Sequence, residues 1–174
     1  MEELKNQPCP FCFKKTLTLI EEEKEIPYFG KCYIMSMRCE SCNYYKSDIE
    51  SVEPKDPIKY EFTVKDKKDM NIRVVKGSNA TVKIPSLRMS VEPAIASIGY
   101  ISNIEGVLRR FKKIVENQRD SAEEDSIKKS AKNLLKKIRK VEDGEQEIKL
   151  IIEDPTGNSA IISDKAVVTK LKKK

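Results

Sequence analysis

Residues 6–16, NQPCPFCFKKT, and residues 38–48, RCESCNYYKSD, decide how this chain is read. Each holds a Cys-x-x-Cys pair, Cys9/Cys12 and Cys39/Cys42, with 26 residues between the pairs. Two such turns can set four thiolates tetrahedrally about Zn²⁺ at roughly 2.3 Å each. A thioredoxin-like redox pair would account for one Cys-x-x-Cys but not for two, and the βαβ pattern it needs is missing. Iron–sulfur ligation and unligated thiols are the remaining alternatives. With four protein ligands a zinc ion has no open position, so the expected metal holds a fold and does not activate water. Pro10 stiffens the first turn. Asn43 follows the second pair, where left-handed backbone is often needed, and Phe13 takes the same place less comfortably in the first.

Working outward, the segment between the pairs reads as a strand, a turn around Pro27 and Gly30, and a second strand. Leu17 and Leu19 share one face, and Tyr33, Met35 and Met37 share another. Cys32, outside both pairs, is expected to be half-buried in that second strand. The run SVEPKDP (51–57) then marks a boundary by its prolines and mixed charge. The expected division is a four-cysteine zinc module over residues 1–50 and a β-domain over 51–174.

The second part opens with short β-type runs: KYEFTV, with Tyr60, Phe62 and Val64 alternating, then IRVV, ATVKI and LRMSV. EIKLIIE and SAIIS return to β character near the end, joined by the turn DPTGN. A helical hairpin over 102–142 interrupts them. Its first stripe is Ile104, Val107, Leu108, Phe111, Ile114 and Val115, and its second is Ile127, Ala131, Leu134, Leu135, Ile138 and Val141. Ser102 with Glu105, and Ser121 with Glu124, read as the capping boxes.

Composition removes several functions. The 174 residues contain no histidine, so Ser-His-Asp and Cys-His catalysis and histidine metal ligation are all excluded. The longest stretch without a charge or a strong polar group, AIASIGYI, is far shorter than a membrane span. The start MEELKNQP carries acids where a signal peptide needs a basic, apolar lead, and a soluble, cytoplasmic protein is expected. Between 104 and 141 twelve Lys/Arg face six Asp/Glu, so the chain's net +6 is concentrated in the hairpin, helped by the KLKKK tail.

Five blocks occur in an order that resembles one family: CPFC, IPYFGKCYIMSMRCESCNY, DMNIRVVKGSNATVKIPSL, ISNIEGVL and IIEDPTGNS. Together they span from about Pro8 to Ile162 and resemble the ZPR zinc-finger family, in the single-module form of its archaeal members. The resemblance implies a finger similar to that of a translation initiation factor, followed by a β-domain of double-stranded β-helix type carrying a helical hairpin. It implies a binding role rather than an enzyme: eukaryotic members, with two modules in tandem, bind translation elongation factor one-alpha and assist its folding. They are also linked to growth signalling through receptor kinases, which has no obvious counterpart for a single module.

Candidate partner-binding residues are Tyr28 and Phe29 at the finger's turn, Asp69 and Arg73, and Asp154 and Asn158 of DPTGNS. Each has a structural reading beside it: packing against the β-domain for the aromatics, an internal pair for Asp69 and Arg73, loop closure for Asp154 and Asn158. The basic helical face (Lys128, Lys129, Lys132, Lys136, Lys137, Lys140) suggests a second function, a nucleic-acid-binding module using finger and hairpin, although the hairpin interleaves no aromatics with its bases and its sole aromatic, Phe111, lies on the apolar stripe. No Gly-rich phosphate loop is present.

Overall fold

The computed structural model describes residues 1–27 and 29–171. Its first four strands, β1 (Glu2–Pro8), β2 (Lys15–Ile26), β3 (Gly30–Cys39) and β4 (Tyr45–Ser51), form one antiparallel meander in that order. The knuckle turns Cys9–Cys12 and Cys39–Cys42 sit at one end of it. The β2–β3 turn, where Gly30 adopts φ +95°, sits at the other.

The remaining strands form two antiparallel sheets. β5 (Ile58–Val64), β7 (Thr81–Ile84), β8 (Met89–Val91), β10 (Ile148–Asp154) and β12 (Val167–Lys170) make a five-stranded sheet in the order β12-β5-β10-β7-β8. β6 (Arg73–Lys76), β9 (Tyr100–Asn103) and β11 (Ala160–Ile161) make a three-stranded sheet with β6 central. Between them lies a cluster built from Phe62, Val64, Val82, Ile84, Leu150, Ile152, Val74 and Ile161. This is the double-stranded β-helix, or jelly-roll, arrangement, and the chain is mainly β with one helical insertion.

The insertion is α1 (Ile104–Ser121) and α2 (Asp125–Glu142), and both helices bury their stripes in the jelly-roll core itself. Ile104, Leu108 and Ile138 are fully buried, whereas Ile114 and Ile127 at the flanks of the stripes stay exposed. The capping differs from the sequence reading. Ser102 lies in β9, paired with Val74, so the cap falls one residue later to Asn103, whose side chain accepts from the Gly106 amide at 2.8 Å. Ser121 is the last residue of α1, its hydroxyl bonded back to the Asn117 carbonyl, and α2 begins after Glu124.

The three-stranded sheet is covered on both faces. Val74 and Ile161 point into the jelly-roll core, while their neighbours Val75 and Ala160 pack against Ile26, Cys32 and Ile49 of the first sheet and Phe29 of its β2–β3 turn. That is the period of two at work. It explains why IRVV reads as a continuous apolar run. Cys32 is therefore fully buried between the two parts, not half-buried as the sequence suggests.

Candidate metal centre and the finger–jelly-roll junction

The sulfur atoms of Cys9, Cys12, Cys39 and Cys42 all lie within 4.8 Å of one another. Two of the separations, Cys9–Cys42 and Cys12–Cys39, are 3.6 Å. Four thiolates on a tetrahedral zinc with 2.3 Å bonds stand about 3.8 Å apart, so the donor set fits that ion. Each knuckle is closed by its own backbone: the Phe13 amide donates to the Cys9 carbonyl and the Cys39 amide to that of Tyr44, both at 2.9 Å. Phe13 and Asn43 take the left-handed conformation, with φ of 60° and 56°.

Around the sulfurs, Thr16 adds a contact that the sequence did not reveal. Its hydroxyl lies 3.3 Å from Cys39 Sγ. That contact, opposed by burial, holds the Cys39 thiol down to about 6. Cys9 and Cys39 are buried with Leu17, while Cys42 is exposed.

At the opposite end the finger sheet is fastened to the jelly roll. Ser47 and Gly99 exchange two hydrogen bonds of 2.8 Å, from the Gly99 amide to the Ser47 carbonyl and from the Ser47 hydroxyl to the Gly99 carbonyl. One carboxylate oxygen of Asp48 accepts from the amides of Ile49, at 2.8 Å, and Ser78, at 3.0 Å. The Ser51 amide donates to Asn158 Oδ1 at 2.9 Å. Lys55 Nζ donates to the Phe29 carbonyl at 2.7 Å and lies 3.5 Å from the centre of the Phe29 ring. Burial pushes the Lys55 and Lys76 amines below the usual lysine range, with Cys32 opposing at the first and Asp154 at the second. A cleft of about 390 Å³ opens along this seam, lined by Asp48, Glu50, Lys55, Asn79 and Thr156 among others.

Of the two readings given for each candidate partner-binding residue, the structure shows the structural one for Phe29, Asp154 and Asn158. Phe29 is buried in the seam, which takes it off the partner-facing surface; Tyr28 lies outside the described residues. Asp154 is fully buried and accepts from the Thr156 amide and hydroxyl and the Ser159 hydroxyl, so its carboxylate closes its own loop. Asn158 joins that loop to β4. Asp69 is buried and caps the turn at Lys67–Asn71 by accepting from the Lys65 and Asp66 amides. Arg73 is exposed and forms no ion pair with it. The junction residues Ser47, Asp48, Lys55, Lys76 and Gly99 carried no local signal, because each is defined by a partner distant in sequence.

A model of the ZPR1 zinc-finger domain matches residues 1–55, and one of the ZPR1 jelly-roll domain matches residues 68–173. The chain belongs to the ZPR1 family. An uncharacterized ZPR1-like protein of Methanocaldococcus jannaschii is 38% identical over 94% of this chain and 83% of its own length. A second, from Pyrococcus horikoshii, is 37% identical over 99% of this chain and 79% of its own. The zinc finger chaperone zpr1 of Schizosaccharomyces pombe is 31% identical over 78% of this chain, which spans only 30% of that longer protein. This ZPR1-family chain is thus a single finger-plus-jelly-roll module with a structural zinc site. No helix among the described residues is long and apolar enough to cross a membrane.

Proposed function

We propose that this ZPR1-family module is a cytoplasmic, stoichiometric protein-binding factor whose client is translation elongation factor one-alpha, and that it assists the client's folding. Its two parts are the finger, residues 1–50, and the jelly roll, residues 51–174. Cys9, Cys12, Cys39 and Cys42 are the zinc ligands. The observation that carries the reading is the seam. Ser47–Gly99, Asp48–Ser78 and Ser51–Asn158 lock finger and jelly roll into one surface, as a module that presents both to a partner requires. The client's identity is supported by the resemblance of the five sequence blocks, and the chaperone role by the name of the fission-yeast relative. A closed four-thiolate site and a chain without histidine favour binding over catalysis.

The test is affinity capture with the zinc-loaded protein from nuclease-treated lysate of the source cell at moderate salt. Elongation factor one-alpha is expected as the dominant partner; its absence from the captured material overturns the reading.

A second reading, nucleic-acid binding through finger and hairpin, is favoured by the solvent face of α2. Lys129, Lys132, Lys136 and Lys140 share one side of the helix, and none of them forms an ion pair among the described residues. Steep loss of binding with salt is its signature.

A further inference from the structure

Three exposed aromatic side chains in and beside the two knuckles are used by neither the zinc site nor the seam. Phe11 is 70% exposed, Phe13 81% and Tyr45 54%. Phe13 is the anomaly among them. It holds φ at 60°, where a bulky side chain is rarely found, yet no neighbour buries its ring. The equivalent position of the other knuckle is Asn43, a residue that tolerates this conformation at little cost. The Phe13 backbone closes its knuckle but its exposed ring adds no packing there, and strain of this kind collects at sites of function.

The surroundings say what would meet it. The Phe11 ring rests on Tyr44, centroids 4.8 Å apart and tilted by 32°, so one flat ring supports another. Tyr45 sits directly opposite Arg38 across β3 and β4. In the stretches 8–16 and 38–46 the bases are Lys14, Lys15, Arg38 and Lys46, and the single acid is Glu40. None of the four bases forms an ion pair among the described residues. Open aromatic faces interleaved with uncommitted cations are what a single strand of nucleic acid needs: rings to stack on its bases and charges for its phosphates. An acidic protein segment would satisfy the charges but leave the flat faces without flat partners.

We propose that the knuckles form a stacking platform for single-stranded nucleic acid, with Phe11, Phe13 and Tyr45 meeting bases and the flanking lysines and Arg38 meeting phosphates. The proposal shares its class of ligand and the finger with the second reading above, and it places the contact on the metal end of the finger alone, without the hairpin.

The experiment is fluorescence anisotropy of a labelled twelve-nucleotide oligouridine, single-stranded or annealed to its complement, with the zinc-loaded full chain. The single strand is expected to bind at least about tenfold tighter than the duplex. Phe11→Ala with Phe13→Ala is expected to weaken it by about 25-fold or more, since each lost stack is worth roughly five- to 160-fold, with zinc still at one per chain. Should that pair disturb the metal, Phe13→Asn copies the other knuckle, relieves the backbone, and is expected to weaken binding as well. Three results overturn the proposal. One is no binding by the unaltered chain. Another is unaltered binding by the knuckle variants while Lys132, Lys136 and Lys140→Ala abolish it, which leaves the second reading standing alone. The last is loss of elongation factor one-alpha capture, without any effect on nucleic acid, in Phe13→Asn.

Discussion

The jelly roll and the knuckle end of the finger are held by different means. Among the described residues, twenty buried ones, most of them on the strands and both helices, form the jelly roll's main core, whereas three form the cluster at the knuckles, and two of those are Cys9 and Cys39. A cluster that small cannot offset the chain entropy of ordering two turns and the ends of four strands. A metal can, because its binding free energy becomes folding free energy. The lesson is that one 174-residue chain uses two stabilising strategies, joined at the seam.

The comparison breaks most visibly at the metal. Cys39→Ser should take zinc from one per chain to none by elemental analysis and unfold the finger, while the helical circular-dichroism signal of the other part persists. Structural zinc is worth about 10–16 kcal/mol in small fingers. Zinc remaining at one per chain would remove Cys39 from the ligand set. Next comes the core. Leu108 is fully buried where α1 meets the jelly roll, and Leu108→Ala should cost about 2–5 kcal/mol in denaturant unfolding with zinc content unchanged. Zinc loss in that variant would show that the two strategies are not separable.

The seam gives the smallest effect and sharpens the contrast. A Cβ added at Gly99 would stand 2.6 Å from Asp48 Oδ1 and 2.9 Å from the Ile49 nitrogen, so backbone must move. Gly99→Ala should cost about 1–3 kcal/mol. It should speed hydrogen exchange at the Ile49, Ser51 and Ser78 amides, leaving metal and core intact. Unchanged exchange there would mean that the finger is not fastened at Ser47–Gly99.

What could be read in advance follows the range of the interaction. The thiol pairs were legible because ligand spacing is a local property, and the helices because Val107, Leu108, Phe111 and Val115 repeat at 3.6 residues. The strands β1, β4, β9 and β12 were not legible. β4, YKSDIES, has Ile49 as its only aliphatic residue, and β1 and β12 are almost wholly exposed, so no alternation betrays them. The first capping box failed for a tertiary reason as well: β9 pairs with β6 through Ser102, which holds that residue extended and passes the cap to Asn103.

Sequence by itself determined the metal-binding character of the finger, the order of the β runs and the amphipathic hairpin, because each depends on neighbours a few residues apart. Only the tertiary structure decided that Val74 faces one core and Val75 the other, that Phe29 is buried in a seam, and that Asn158 serves the Ser51 amide 107 residues away. Those roles are set by partners that the chain brings together only on folding, and a buried polar group takes its meaning from the partner that satisfies it.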